Sequence, residues 1–269
     1  MDGPGRAVLT LFGTRPEIIK LAPVIRALES TPGVRTRNVS SGQHVDLLAP
    51  FVELFDVRVD RRLDVMRPGQ SLNQLAARIV NAVDELLAEE RPDLVLVQGD
   101  TTTAMAGALA AFHRRIPVGH VEAGLRSGDP MSPWPEEVNR RMISSLAQHH
   151  FAATERNRDT LLREGVAASS VHVTGNPVVD ALRWVLETTQ PSEQVRDLLE
   201  ASEGTRRVVL TTHRRESHGS LIRENLRVVR RFVEAHDDVA VFFPVHPNPE
   251  VRAAVDEALG GAHERIRLL

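Results

Sequence analysis

Short runs of branched apolar residues alternate with amphipathic stretches along this chain, and no other feature restricts the fold as much. Residues 7–12, 93–98, 117–121, 150–153, 170–174, 207–212 and 239–244 have strand character. The clearest helical period lies in 70–90, where Leu72, Leu75, Ala76, Ile79, Val83, Leu86 and Leu87 recur at three- and four-residue steps. Residues 101–113, 135–149, 157–164 and 220–235 read as helices as well. Strands separated by helices pair in parallel, and a parallel sheet has to be covered on both faces. The expectation is therefore α/β, with doubly wound parallel sheets. Two blocks are expected, residues 1–177 and 178–269, because a helical stretch at 178–202 leads into a new strand at 207. They would face each other across a cleft, with ligands at the carboxyl ends of the strands. Pro23 lacks an N–H, so a kink is expected near Lys20–Pro23.

Composition narrows the function. The chain has 269 residues and a net charge of −3, which makes no electrostatic case for nucleic acid or an anionic membrane. It has no cysteine, excluding disulfides, thiolate metal sites and cysteine nucleophiles, and no tyrosine to act as a phenolic acid. Residues 1–6 lead directly into a strand-like run, and no apolar stretch is long enough to span a bilayer, so a cytoplasmic protein is expected. Of the 33 basic residues one is a lysine, Lys20. A chain that uses arginine for ordinary surface charge and keeps one ammonium points to a task guanidinium cannot perform. Lys20 follows Gly13-Thr14-Arg15-Pro16, where a strand, a glycine turn and a helix start would offer backbone N–H groups to a phosphate.

Further polar groups fall at strand ends. Residues 93–98 run into Gly99-Asp100-Thr101, where Asp100 suits a helix cap as well as catalysis. The strand at 117–121 runs into Glu122-Ala123-Gly124-Leu125-Arg126. A glutamate there needs a partner, so Arg126 either forms a plain ion pair with Glu122 or grips a phosphate. Pro135 suits a first helical position, and the helix dipole explains Glu136 and Glu137 without catalysis. In the second block His213-Arg214-Arg215 suits a diphosphate or a solvated basic turn, and His246 again follows a strand. Walker, zinc-protease and nucleophile-elbow patterns are missing from the sequence, and no metal site is supported.

Eight segments in order carry a resemblance. They are GTRPEIIKLAPVI at 13–25, SGQH at 41–44, QGDTTT at 98–103, HVEAGLRSGD at 120–129, PWPEEVNRR at 133–141, TGNPVVDAL at 174–182, THRRES at 212–217 and PVHPNP at 244–249. Together they are similar to the non-hydrolysing UDP-N-acetylglucosamine 2-epimerases. The resemblance implies a GT-B architecture of two Rossmann-like domains. It implies interconversion of UDP-GlcNAc and UDP-ManNAc without nicotinamide or metal, in a homodimer serving cell-surface polysaccharide biosynthesis. Asp100, Glu122, Glu136 and His213 become the expected catalytic residues. Arg15, Lys20, Arg126, Arg214 and His246 become the expected substrate-binding set. Gln43 and His44 resemble positions that touch a second, allosteric UDP-GlcNAc in some members, whereas Asp46 and Gly69 depart from that pattern. By the same resemblance the second domain stops part-way, and it is expected to be marginal. The alternatives are a hydrolysing epimerase that releases ManNAc and UDP, a GT-B glycosyltransferase, and a catalytically dead UDP-sugar-binding protein.

Overall fold

The computed structural model describes residues 5–43, 45–211, 220–246, 248–260 and 263–269. Seven strands form one sheet: β1 (Arg6–Phe12), β2 (Val34–Ser40), β3 (Arg61–Arg62), β4 (Leu94–Gln98), β5 (Val118–Ala123), β6 (His149–Ala152) and β7 (Val171–Val173). Their order is β3-β2-β1-β4-β5-β6-β7, and every neighbouring pair is parallel. The connecting helices are α1 (Arg15–Glu29), α2 (Val45–Leu54), α3 (Leu72–Glu90), α4 (Thr102–His113), α5 (Glu136–Leu146) and α6 (Glu155–Arg163).

Side chains alternate across β1, and that alternation feeds two cores. Leu9 and Leu11 join Ile79, Val83 and Leu87 of α3 and the alanines of α4. Phe12 joins Ile18, Leu21 and Ile25 of α1 and Leu48 of α2. The sheet is thus covered on both sides. Helix α4 lies close to β1 because its inner face is built from small residues. A Cβ on Gly107 would stand 2.2 Å from Leu11 Cδ2. Ser71 and Gln74 close a capping box at the start of α3, through Ser71 N–H to Gln74 Oε1 (2.8 Å) and Gln74 N–H to Ser71 Oγ (3.2 Å). Helix α1 continues through Pro23 to Glu29, so the proline does not end it; Ile18, Leu21, Ala22 and Ile25 all stay buried along its length.

Helix α7 (Val178–Thr188) belongs to the first compact unit, which ends at Thr189 rather than at Pro177. The reason is packing. Ala181 is buried in the α1 core with Trp184 and Val185 beside it, and the Arg26 guanidinium sits 3.2 Å above the centre of the Trp184 ring. The second unit, 190–269, contains α8 (Glu193–Glu200), β8 (Arg206–Val209), α9 (Ser220–Glu234), β9 (Val239–Phe243), α10 (Pro249–Leu259) and β10 (Ile266–Leu268). The expected helical stretch at 178–202 is therefore two helices, one in each unit. The second sheet is parallel in the order β10-β9-β8. Its core joins Ile222 and Leu226 of α9 to Phe243 and to Val251, Val255 and Leu259 of α10. No described helix is long and apolar enough to cross a membrane.

Candidate active site

Strand order in the first sheet reverses beside β1, whose neighbours are β2 and β4. Chains leave β1 and β4 toward opposite sides there, which opens a crevice at the carboxyl ends. The turns after β1 and β4, and the end of β5, meet at this point.

Glu122 occupies the end of β5 in a left-handed conformation (φ 67°), where the pairing with β6 slips between Val121 and Ala123. Side chains other than glycine rarely adopt that conformation, and it persists where surroundings impose it. Here they do. Lys20 Nζ donates to Glu122 Oε2 at 2.5 Å and Gln98 Nε2 donates to the same oxygen at 2.6 Å. Asn176 Nδ2 donates to Oε1 at 2.7 Å. The glutamate side chain is 8% exposed and the lysine 21%. The single ammonium of the chain is therefore the cation of this carboxylate. The expected alternative, a Glu122–Arg126 ion pair, does not form. Arg126 is held instead by Glu164 (2.8 and 2.7 Å), and it also donates to Ser144 Oγ (2.9 Å).

Asp100 follows Gly99, whose φ of 71° turns the chain out of β4. Arg140 Nη2 donates to Asp100 Oδ2 at 2.5 Å, and Asn139 Nδ2 donates to the Asp100 carbonyl at 2.9 Å. Burial pushes the Asp100 carboxyl above the ordinary range despite Arg140, and the nearby Glu136 and Glu122 carboxylates push the same way. These three expected catalytic carboxylates therefore share one electrostatic neighbourhood. Glu136 opens α5, and no hydrogen bond or ion pair to a described residue holds its side chain. The adjacent Glu137 does the anchoring. It is fully buried and accepts from Ser127 N–H (3.0 Å), Arg140 Nη1 (3.2 Å) and Arg141 Nη2 (2.9 Å). Burial would raise it, but those donors outweigh burial and hold its carboxyl below the usual range. Behind Gly99 stands His120, buried, with Nε2 2.7 Å from the Gly99 carbonyl. A carbonyl only accepts, so Nε2 carries the proton. Burial pushes this histidine down to about 3, which keeps it neutral.

The glycine turn after β1 is not an open phosphate cradle. Its N–H groups already have an acceptor: Gly13 N–H and Thr14 N–H donate to Glu17 Oε2 at 2.9 and 2.7 Å. Cationic side chains, rather than this turn, are left to meet a phosphate. Arg15 is exposed beside the turn, and no described carboxylate pairs with it. Gln43 Oε1 accepts from Thr103 Oγ1 at 2.8 Å, which ties the loop after β2 to α4. His246 lies in the second unit, exposed, where its Nδ1 accepts from Asn248 N–H at 3.1 Å. His44, His213 and Arg214 fall outside the described residues.

Sequence reading did not single out Arg140, Gln98, Asn176 or Glu17, and it gave Glu137 only a role toward the helix dipole. All of them stand inside the eight segments, and all but Asn176 lie one to four positions from a residue that it named as a candidate.

Comparison with known proteins gives the family. Residues 26–269 match the family model of UDP-N-acetylglucosamine 2-epimerase. The chain belongs to that family. A UDP-N-acetylglucosamine 2-epimerase of Escherichia coli K12 is 45% identical over 258 residues, which cover 94% of this chain and 69% of that one. A solved chain from Listeria monocytogenes assigned to the same family matches 98% of this chain and 69% of its own length, with a TM-score of 0.93 and 40% identity. The UDP-GlcNAc 2-epimerase of Neisseria meningitidis, solved with UDP-GlcNAc bound, matches 98% of this chain and 72% of its own length, with a TM-score of 0.89 and 39% identity.

Proposed function

We propose that this chain interconverts UDP-GlcNAc and UDP-ManNAc by eliminating and re-adding UDP, without hydrolysis. The carrying observation is the Lys20–Glu122 pair, standing with Asp100 at the switch point of the first sheet. The proton on sugar C2 is not beside a carbonyl, so a carboxylate cannot remove it from the ground state. Heterolysis of the C1–O bond sends the electron pair to the diphosphate and leaves C1 cation-like. The C2 proton then becomes acidic. Its transfer to a carboxylate leaves the C–H electrons as a C1=C2 double bond, giving 2-acetamidoglucal and UDP. In the return step UDP oxygen adds to C1, and C2 takes a proton on the opposite face.

The residue types answer these demands. Lys20 and Arg15, with His213 and Arg214, are the cations for the departing diphosphate. Asp100, Glu122 and Glu136 are the acid and base groups, and inversion calls for more than one of them. A carboxyl raised by burial, as Asp100 is, holds a proton more readily than an ordinary aspartate, which suits a group that takes one up and returns it.

The test is incubation of the chain with UDP-GlcNAc in D₂O, followed by proton NMR. UDP-ManNAc carrying deuterium at C2 is the expected product. Free ManNAc with UDP would identify a hydrolysing enzyme. Retention of unlabelled UDP-GlcNAc alone would remove the catalytic reading.

A further inference from the structure

We infer that Glu17 is a positioning residue that locks the turn opening α1 to the turn carrying Asp100, an inference that rests on the epimerase reading above. A glutamate at the third position of a helix ordinarily reaches back to the capping N–H and does nothing more. Glu17 performs that task through Oε2, which accepts from Gly13 N–H, Thr14 N–H and the Thr14 hydroxyl (2.8 Å). Its second oxygen does something a cap does not need. Oε1 accepts from the hydroxyl of Thr101 at 2.7 Å, 84 positions along the chain. Thr101 directly follows Asp100, and its hydroxyl oxygen in turn accepts from Ala104 N–H at 3.0 Å, so the link continues into the start of α4.

Lys20 lies on the same helix as Glu17, three residues on. One carboxylate therefore sets the spacing between the element that carries the ammonium and the turn that carries the proton-transfer group. Glu17 is fully buried and no described cation pairs with it. Water cannot take its place, and its loss leaves two backbone donors and two hydroxyls without this acceptor. Burial raises its carboxyl, and the same four donors pull it back.

The test uses the full chain with Glu17→Gln, Thr101→Val, Thr101→Ser and the double variant Glu17→Gln/Thr101→Val. Two readouts are taken: steady-state epimerisation of UDP-GlcNAc, and hydrogen exchange of the backbone amides. Misplacement of a proton-transfer group lowers turnover more than binding. Glu17→Gln and Thr101→Val should each lower kcat by about 10- to 100-fold with KM changed less than about threefold. Thr101→Ser, which keeps the hydroxyl, should stay near the unmodified value. The double variant should be no worse than the poorer single one, since both cut one link. Exchange should accelerate at Asp100–Thr102 in Glu17→Gln, and at Gly13 and Thr14 in Thr101→Val. Kinetic effects that add in full, or exchange that rises only in the turn carrying the substitution, would overturn the inference. If Glu17→Gln fails to fold, Thr101→Val against Thr101→Ser carries the same comparison. If the unmodified chain makes no UDP-ManNAc, the epimerase reading fails, and exchange at the distant turn still decides whether the lock exists.

Discussion

Lys20 shows how much one side chain can reveal and conceal. Its isolation among arginines marks it in the sequence, yet its partner Glu122 stands 102 positions away. A guanidinium is broader and planar, and it cannot replace a compact ammonium between Glu122 and solvent at this distance. Lys20→Arg should therefore lower kcat for UDP-GlcNAc epimerisation by about 100-fold or more, measured by NMR, with the fold retained by circular dichroism. His120 makes a prediction about stability. Its folded value of about 3 lies below the unfolded 6.5, so between those limits the unfolded chain binds more protons. Stability from this group is complete above about 6.5 and is lost as pH falls toward 3, by a few kcal/mol in all. Asp100 and Glu17, raised by burial, act with the opposite sign: the folded state holds their protons longer, so they favour it as pH falls. The comparison of urea unfolding for the unmodified chain and His120→Gln isolates the histidine. The variant should lose less stability between pH 6.5 and 4, and an equal loss would remove His120 as the source.

At the scale of elements, the legible strands are those whose side chains enter a core on both faces, such as β1 and β4. Strand β2 was not legible. Its sequence Val34-Arg35-Thr36-Arg37-Asn38-Val39-Ser40 lacks an apolar run, because its pairing is stabilised by polar contacts made elsewhere. Buried Asn38 accepts from the Thr10 hydroxyl (2.9 Å) and donates to Glu29 Oε1 (3.1 Å) and the Arg58 carbonyl (3.0 Å). Helix α4 is the opposite case, recognisable at once, but with a packing distance set by Gly107. Gly107→Ala would push a methyl into Leu11 and should destabilise the chain by about 1–3 kcal/mol. A lower urea midpoint with an unchanged slope would show this. An unchanged midpoint would mean that α4 can move off the sheet without penalty.

The whole molecule divides after Thr189, and each unit has hydrophobic clusters of its own among the described residues. Residues 1–189 alone should therefore unfold in one cooperative transition, followed by circular dichroism. A chain ending at 177 lacks α7 and exposes the apolar face of α1, so it should be less stable; equal stability of the two would return the boundary to Pro177. The α/β class, most of the strands and helices, and the family are legible in the residues alone, because apolar periodicity and the eight motif segments are local in the chain. The sequence also marked Asp100, Glu122, Glu136 and Lys20 as chemical groups. The tertiary structure decided who their partners are. Strand order places β1 beside β4, and that brings Glu17 to Thr101 and Lys20 to Glu122. It closed the glycine turn with Glu17, held Arg126 with Glu164, and gave Asp100 to Arg140. Such pairings depend on distances between segments far apart in the chain, and local spacing carries no information about those distances.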